Sequence, residues 1–170
     1  MALLEIKKYP DKILRKKALP VKDAQDEALQ QLIDNMVETM YDAPGMGLAA
    51  PQVGVSLRLC VIDITSGKEP ENLYVLINPE IVETSGGEET AEEGCLSIPG
   101  YYYEVKRAAQ LVVSYTDRDG KKTQLKADGL LSRAIQHEID HLNALLFIDR
   151  IGSVKKDMFK RKYKKELARA

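Results

Sequence analysis

A chain of 170 residues, 44% hydrophobic and 30% charged, has the length and balance of one globular domain with its own core. Its formal net charge of −1 argues against a wholly basic nucleic-acid binder. No apolar run nears the roughly 20 residues that span a bilayer, and two cysteines imply no disulfide framework and a reducing cytoplasm.

The opening MALLEIKKYPDKILRKK is too briefly apolar for a signal peptide and is interrupted by Pro10. Residues 24–41 predict an amphipathic helix, with Leu29, Leu32, Ile33, Met36, Val37 and Met40 at three- and four-residue steps, Asp23 as cap, and Pro44-Gly45 ending it. GMGLAAPQ follows at 45–52; its glycines and alanines leave backbone bare to close approach, and Gln52 offers both donors and an acceptor. Taken alone, this segment also reads as a tight connection packed with small residues. Strands are expected at 57–64 and 73–83, and a hairpin at 110–116 and 121–127 around Asp117-Arg118-Asp119-Gly120. Asp128-Gly129 opens a second helix over roughly 130–145. Tyr101-Tyr102-Tyr103 reads either as part of a cleft or as a half-exposed aromatic strand.

The last segment is asymmetric in charge. Residues 155–170 hold eight Lys/Arg against Asp157 and Glu166, leaving +6 on the tail and −7 on the remainder. Val154, Met158, Phe159, Tyr163 and Leu167 form a rough helical stripe opposite the basic residues. The fold class expected is α+β: mostly antiparallel strands around a central metal-binding helix, with an N-terminal amphipathic helix and a C-terminal helix. Residues 1–153 are expected to form one domain, catalytic if the residues described next hold a metal, and 154–170 a basic helix that is not a domain of its own.

Both histidines of the chain lie in QHEIDH, 136–141. On a helix, His137 and His141 share a face, and Glu138 sits one step round, within reach of a water on a metal held by the pair. A catalytic ion usually has three protein ligands and an open position. With no third histidine, the remaining ligand is a cysteine or a carboxylate. Cys60, inside LRLCVIDI, reads as a core thiol. Cys95, in the loop EEGCLSIPG, is free to point at an ion, and a divalent ion would offset the like-charge repulsion expected from Glu92 and Glu93. Were Cys60 to join, the site would be closed and structural.

GMGLAAPQ, EEGCLS and QHEIDHL, in this order, closely resemble the three signature stretches of bacterial peptide deformylases. Tyr9-Pro10, Leu14-Arg15, INPEI at 77–81 and ADGLL before the metal helix extend the likeness over nearly the whole chain. The resemblance implies a metal held by Cys95, His137 and His141, natively Fe(II), with nickel, cobalt or zinc able to replace it. It implies removal of the N-formyl group from the initiator methionine of new polypeptides by metal-bound hydroxide. Glu138 is then general acid/base, and Gln52 and the Leu96 N–H stabilise the oxygen at the reacting carbon. Gly45, Met46, Gly47 and Gly94 are expected beside the substrate backbone and formyl group, and Met46, Leu130 and Ala134 around its methionine side chain. Arg133 stands where a more apolar residue is expected. The basic helix is expected either as a solvated terminus or as a ribosome-docking element. No membrane and no sequence-specific nucleic acid is expected as a partner. Two other readings use the same residues: a zincin-like metallopeptidase, and a ribosome-associated module with structural zinc completed by Cys60.

Overall fold

The structure is a computed structural model describing residues 2–170. Helix α1, Glu27–Asp42, begins three residues later than the periodicity suggested, because Asp26 rather than Asp23 caps it by accepting from the Leu29 N–H at 3.1 Å. Asp23 instead accepts from the Gln25 N–H and shapes the preceding turn. Strand β1, Gly47–Ala49, follows and leads into a 3₁₀ turn, Ala50–Val53. Strand β2 spans only Leu59–Ile62, half the expected run. It stops where the Asp63 carboxylate accepts from the Thr65 and Gly67 N–H groups and so bends the chain.

Strands β3, Tyr74–Cys95, and β4, Ile98–Thr116, are much longer than their apolar runs. They form a two-stranded ribbon whose register shifts at several points, one of them at Gly86 and Gly87, both with positive φ. Strand β5, Lys122–Asp128, completes the hairpin expected around residues 117–121. The sheet is antiparallel throughout, ordered β1-β2-β3-β4-β5, so β1 is an edge. Helix α2, Gly129–Leu142, and helix α3, Ser153–Arg169, close the chain. The architecture is α+β, and no helix of the described residues is long and apolar enough to cross a membrane.

Period-two alternation in β2 divides the core. Leu59 and Val61 face α1, with Ile33, Met36 and Met40, while Cys60 and Ile62 face α2, with Ile135, Ile139 and Leu142. Helix α2 is thus held against the sheet, and its C-terminal carbonyl at Leu142 accepts from the Ala18 N–H and from Arg58. The stripe expected on α3 shrinks to two residues. Phe159 and Tyr163 are buried, Phe159 edge-on to Tyr101 at 5.0 Å and Tyr163 donating its hydroxyl to the Tyr9 carbonyl at 2.6 Å. Val154, Met158 and Leu167 are exposed, because only the i, i+4 pair faces the tyrosine strand.

Candidate active site and metal centre

Helix α2 carries His137, Glu138 and His141 inward, all buried. Cys95 ends β3, at the tight connection into β4. The ligand atoms of Cys95, His137 and His141 lie within 4.8 Å of one another. Cys95 Sγ and His141 Nε2 are 3.4 Å apart. Donors at about 2.3 and 2.1 Å from one tetrahedral ion would stand about 3.6 Å from each other, so this spacing suits a shared cation. The protonation pattern agrees. Burial would lower the His137 pKa, but Cys95, Glu138 and Glu93 outweigh it and hold the ring well above its ordinary value. Burial and the neighbouring His137 push His141 well below its own. One positive charge is already wanted among these donors. Cys60 is not a member of the cluster; it is fully buried in β2, and burial pushes its thiol well up.

Glu138 is 4% exposed, and burial raises its carboxyl to about 7. Its Oε1 has no hydrogen-bond partner among the described residues. Gly47 of β1 passes so close that a Cβ there would stand 2.5 Å from Glu138 Oε2. Gln52, buried in the 3₁₀ turn after β1, accepts from the Ala49 N–H at 2.9 Å. Its amide donates to Ser97 Oγ at 3.1 Å and points to Cys95 Sγ at 3.6 Å. A cavity of about 720 Å³ opens over this centre. Gly45, Met46, Gly47, Gly94, Cys95, Leu96, Leu130, Ala134, His137 and Glu138 all line it. His141, a member of the cluster, and Gln52 are both buried and are not part of the cavity wall. Tyr101 and Tyr102 do line it, so the tyrosine run is both strand and cleft.

The surrounding charges were not legible beforehand. Glu93, expected to oppose the thiol, is engaged elsewhere: Oε1 accepts from Arg107 Nη2 and meets His137 Nδ1, each at 2.9 Å. Its Oε2 accepts from Arg107 Nε at 2.8 Å and Arg133 Nη1 at 2.6 Å. Burial would raise this carboxyl, but Arg107 and His137 outweigh it and hold it well below the ordinary carboxylate range. Arg107 also donates to Asp140, which accepts two further bonds from Arg150. The sequence signals were Glu93 beside the cysteine and Asp140 inside the histidine motif, neither with a visible partner.

Comparison with known proteins decides the family. A sequence profile of the polypeptide deformylase family matches residues 3–157. This chain belongs to the polypeptide deformylase family. It is 57% identical to the peptide deformylase of Syntrophobacter fumaroxidans over 170 residues, covering 100% of this chain and 99% of that one. Against the peptide deformylase of Thermodesulfovibrio yellowstonii it is 53% identical, covering 96% and 98%. The crystal structure of a peptide deformylase from Legionella pneumophila superposes with a TM-score of 0.89 at 49% identity, covering 99% of each chain. That of Synechococcus elongatus, in complex with actinonin, gives 0.83 at 47%, covering 90% of this chain and 81% of that one. The enzyme therefore acts on formylated nascent peptides, removing the N-formyl group, and is a metalloenzyme with a Cys-His-His group able to hold its ion.

Proposed function

We propose that Cys95, His137 and His141 hold one divalent ion, natively Fe(II) with nickel, cobalt or zinc as substitutes, and that Glu138 moves the proton in deformylation. The observation that carries this reading is the convergence of the three donors beside a buried carboxylate whose Oε1 has no hydrogen-bond partner among the described residues, under an open cavity. When bound, such an ion acidifies its water towards a pKa of about 7 and polarises the formyl carbonyl. Glu138 takes the water proton as the water oxygen bonds to the formyl carbon, then gives it to the amine nitrogen as the C–N bond breaks and formate leaves. The Gln52 amide and the Leu96 N–H stabilise the charge growing on the carbonyl oxygen. The small residues Gly45 and Gly47 leave room for formyl and for little else, while Met46, Leu130 and Ala134 receive the methionine side chain. The extended peptide lies along main chain near Met46 and Gly94, using the open edge of β1 as a strand would.

The test pairs elemental analysis of protein prepared without oxygen with formate release from a formyl-Met peptide. One equivalent of metal and turnover of the formylated peptide only are expected; cleavage of an unblocked peptide would favour a peptidase. Glu138→Gln should keep its metal and lose most turnover, and Cys95→Ala should lose the metal. Retained activity in the first, or unaltered metal in the second, refutes the assigned role.

The basic face of α3 is proposed to dock on ribosomal RNA phosphates. Because Phe159 and Tyr163 anchor α3 in the core, removing the helix would damage the fold. Replacing the exposed Lys160, Arg161, Lys164 and Lys165 by Gln is the cleaner test. Ribosome binding should weaken and lose part of its salt dependence; unchanged binding refutes docking.

A further inference from the structure

Arg133 is a cavity-lining residue and also part of the charged cluster behind the histidines. It is 7% exposed, and its guanidinium makes three bonds to three different places. Nη1 donates to Glu93 Oε2 at 2.6 Å and to the Val105 carbonyl at 2.8 Å, and Nη2 donates to the Glu89 carbonyl at 2.8 Å. These contacts stitch α2 to both strands of the ribbon, β3 at Glu89 and Glu93 and β4 at Val105.

The arrangement at Glu93 gives these bonds a consequence. Each of its oxygens meets two partners, so the carboxylate has no free acceptor position to rotate towards. Arg107 holds it bidentately along one edge. Arg133 supplies the remaining bond on Oε2, opposite the one that Oε1 makes with His137 Nδ1. A carboxylate gripped on one edge alone retains freedom to rock about that grip, and rocking moves Oε1 relative to the imidazole. Partners of this kind fix ring orientation and tautomer, and leave the other ring nitrogen for an ion.

We infer that Arg133 is a positioning residue: from the wall of the substrate cavity it locks Glu93, and through Glu93 it orients His137 for the metal. This rests on the metal-binding reading above. The polar residue that seemed out of place in an apolar pocket is thereby accounted for. The residue lines the cavity, and its guanidinium bonds to Glu93. A bulky first side chain pressing on Arg133 thus reaches the metal ligand through two contacts.

The experiment compares wild type, Arg133→Met, Arg133→Lys and Leu130→Ala, each loaded with Co(II). Metal release to excess chelator, the Co(II) absorption spectrum and kcat and KM for a formyl-Met peptide are read together. Arg133→Met keeps an unbranched stem and loses the head. It should release metal at least about tenfold faster, with a shifted spectrum and lower kcat. Arg133→Lys should restore part of the release rate, since one donor can again reach Glu93. Leu130→Ala, on the same wall but without a bond to Glu93, should raise KM and leave metal release unaltered. Circular dichroism of each variant establishes that it is folded. If Arg133→Met is misfolded, Arg133→Lys must still show faster release than wild type. Wild-type release and spectrum in a folded Arg133→Met, or in the Lys variant where that serves, overturn the inference. A wild-type protein that binds no metal overturns the underlying reading instead.

Discussion

Gly47→Ala tests the catalytic geometry most directly, because it adds a single methyl group and touches no proposed ligand. That methyl would lie 2.5 Å from Glu138 Oε2, 3.0 Å from Cδ and 3.1 Å from Cγ. Ordinary contact requires a retreat of roughly 1 Å, and misplacement on that scale costs about 10²-fold in rate. Two responses are open to the protein. If Glu138 yields, kcat/KM for a formyl-Met peptide falls by about 10² while stability changes little. If the wall yields instead, β1 shifts on β2 and the variant loses about 1–3 kcal/mol, as overpacked cores do. Formate release measured beside urea denaturation separates these outcomes. Repeating the change in a Glu138→Gln background should add little further loss, since both act on one group. A Gly47→Ala enzyme with wild-type kcat/KM and wild-type stability would refute the claim that this strand and this carboxylate are in forced contact.

Gln52→Ala removes a donor aimed beside Cys95 and leaves the buried Ala49 N–H without its acceptor. We expect kcat to fall by about 10²–10³, measured by formate release, with a stability loss of about 1–3 kcal/mol in urea. Cys60→Ser should keep a full equivalent of metal by elemental analysis and lose about 1–3 kcal/mol, because it buries a hydroxyl in an apolar layer. Asp149 gives a pH prediction. Burial would raise its carboxyl, but bonds from Arg15, the Leu146 N–H and Lys156 bring it down to about 2 from an ordinary 3.8. Its folded pKa lies below the unfolded one, so its stabilisation is complete above about pH 4 and fades as pH falls through 2. The shift sets a ceiling of about 2.5 kcal/mol, which solvent screening of the 37% exposed Arg15 reduces to about 1. Asp149→Asn should therefore trail wild type by about 1 kcal/mol at pH 7 and converge with it by pH 2 in urea titrations. A gap of constant size across that range would refute the assignment.

What could be read from the sequence follows the range of the interactions. The helices were visible because their stripes and caps are local, and the error at α1 was a choice between two aspartates three residues apart. The reach of β3 and β4 was not visible. From Val82 to Glu92 the strand is exposed on both faces apart from its backbone pairing, so it carries no alternation of apolar and polar residues. The residues of the candidate site divide in the same way. His137, Glu138 and His141 are legible as one helical turn, and Cys95 as the loop thiol that could complete their set. Glu93 meets Arg107, Arg133 and His137 across separations of 14, 40 and 44 residues, beyond any local pattern. The usual expectation that charges face solvent pointed the wrong way for all of them.

The charged layer beneath α2 also bears on how the site is held together. Arg107 stands between Glu93 and Asp140, bonding both, and Arg150 closes the far side of Asp140. Buried ion pairs of this sort contribute little net stability, because desolvation offsets most of their attraction. Their effect here is directional. His137 and Asp140 lie three residues apart on one face of α2, and each is tied through a carboxylate to the same guanidinium of β4. Two tethers almost one turn apart resist rotation of the helix about its axis, which a single one would allow. Such rotation would carry His137 and His141 out of line with Cys95, which belongs to another element. The ribbon that supplies Cys95 and Glu93 at one end and Arg107 on its return strand thus holds both halves of the donor set. The 3.4 Å spacing of Cys95 Sγ and His141 Nε2 is accordingly a property of the sheet–helix junction, not of the loop alone.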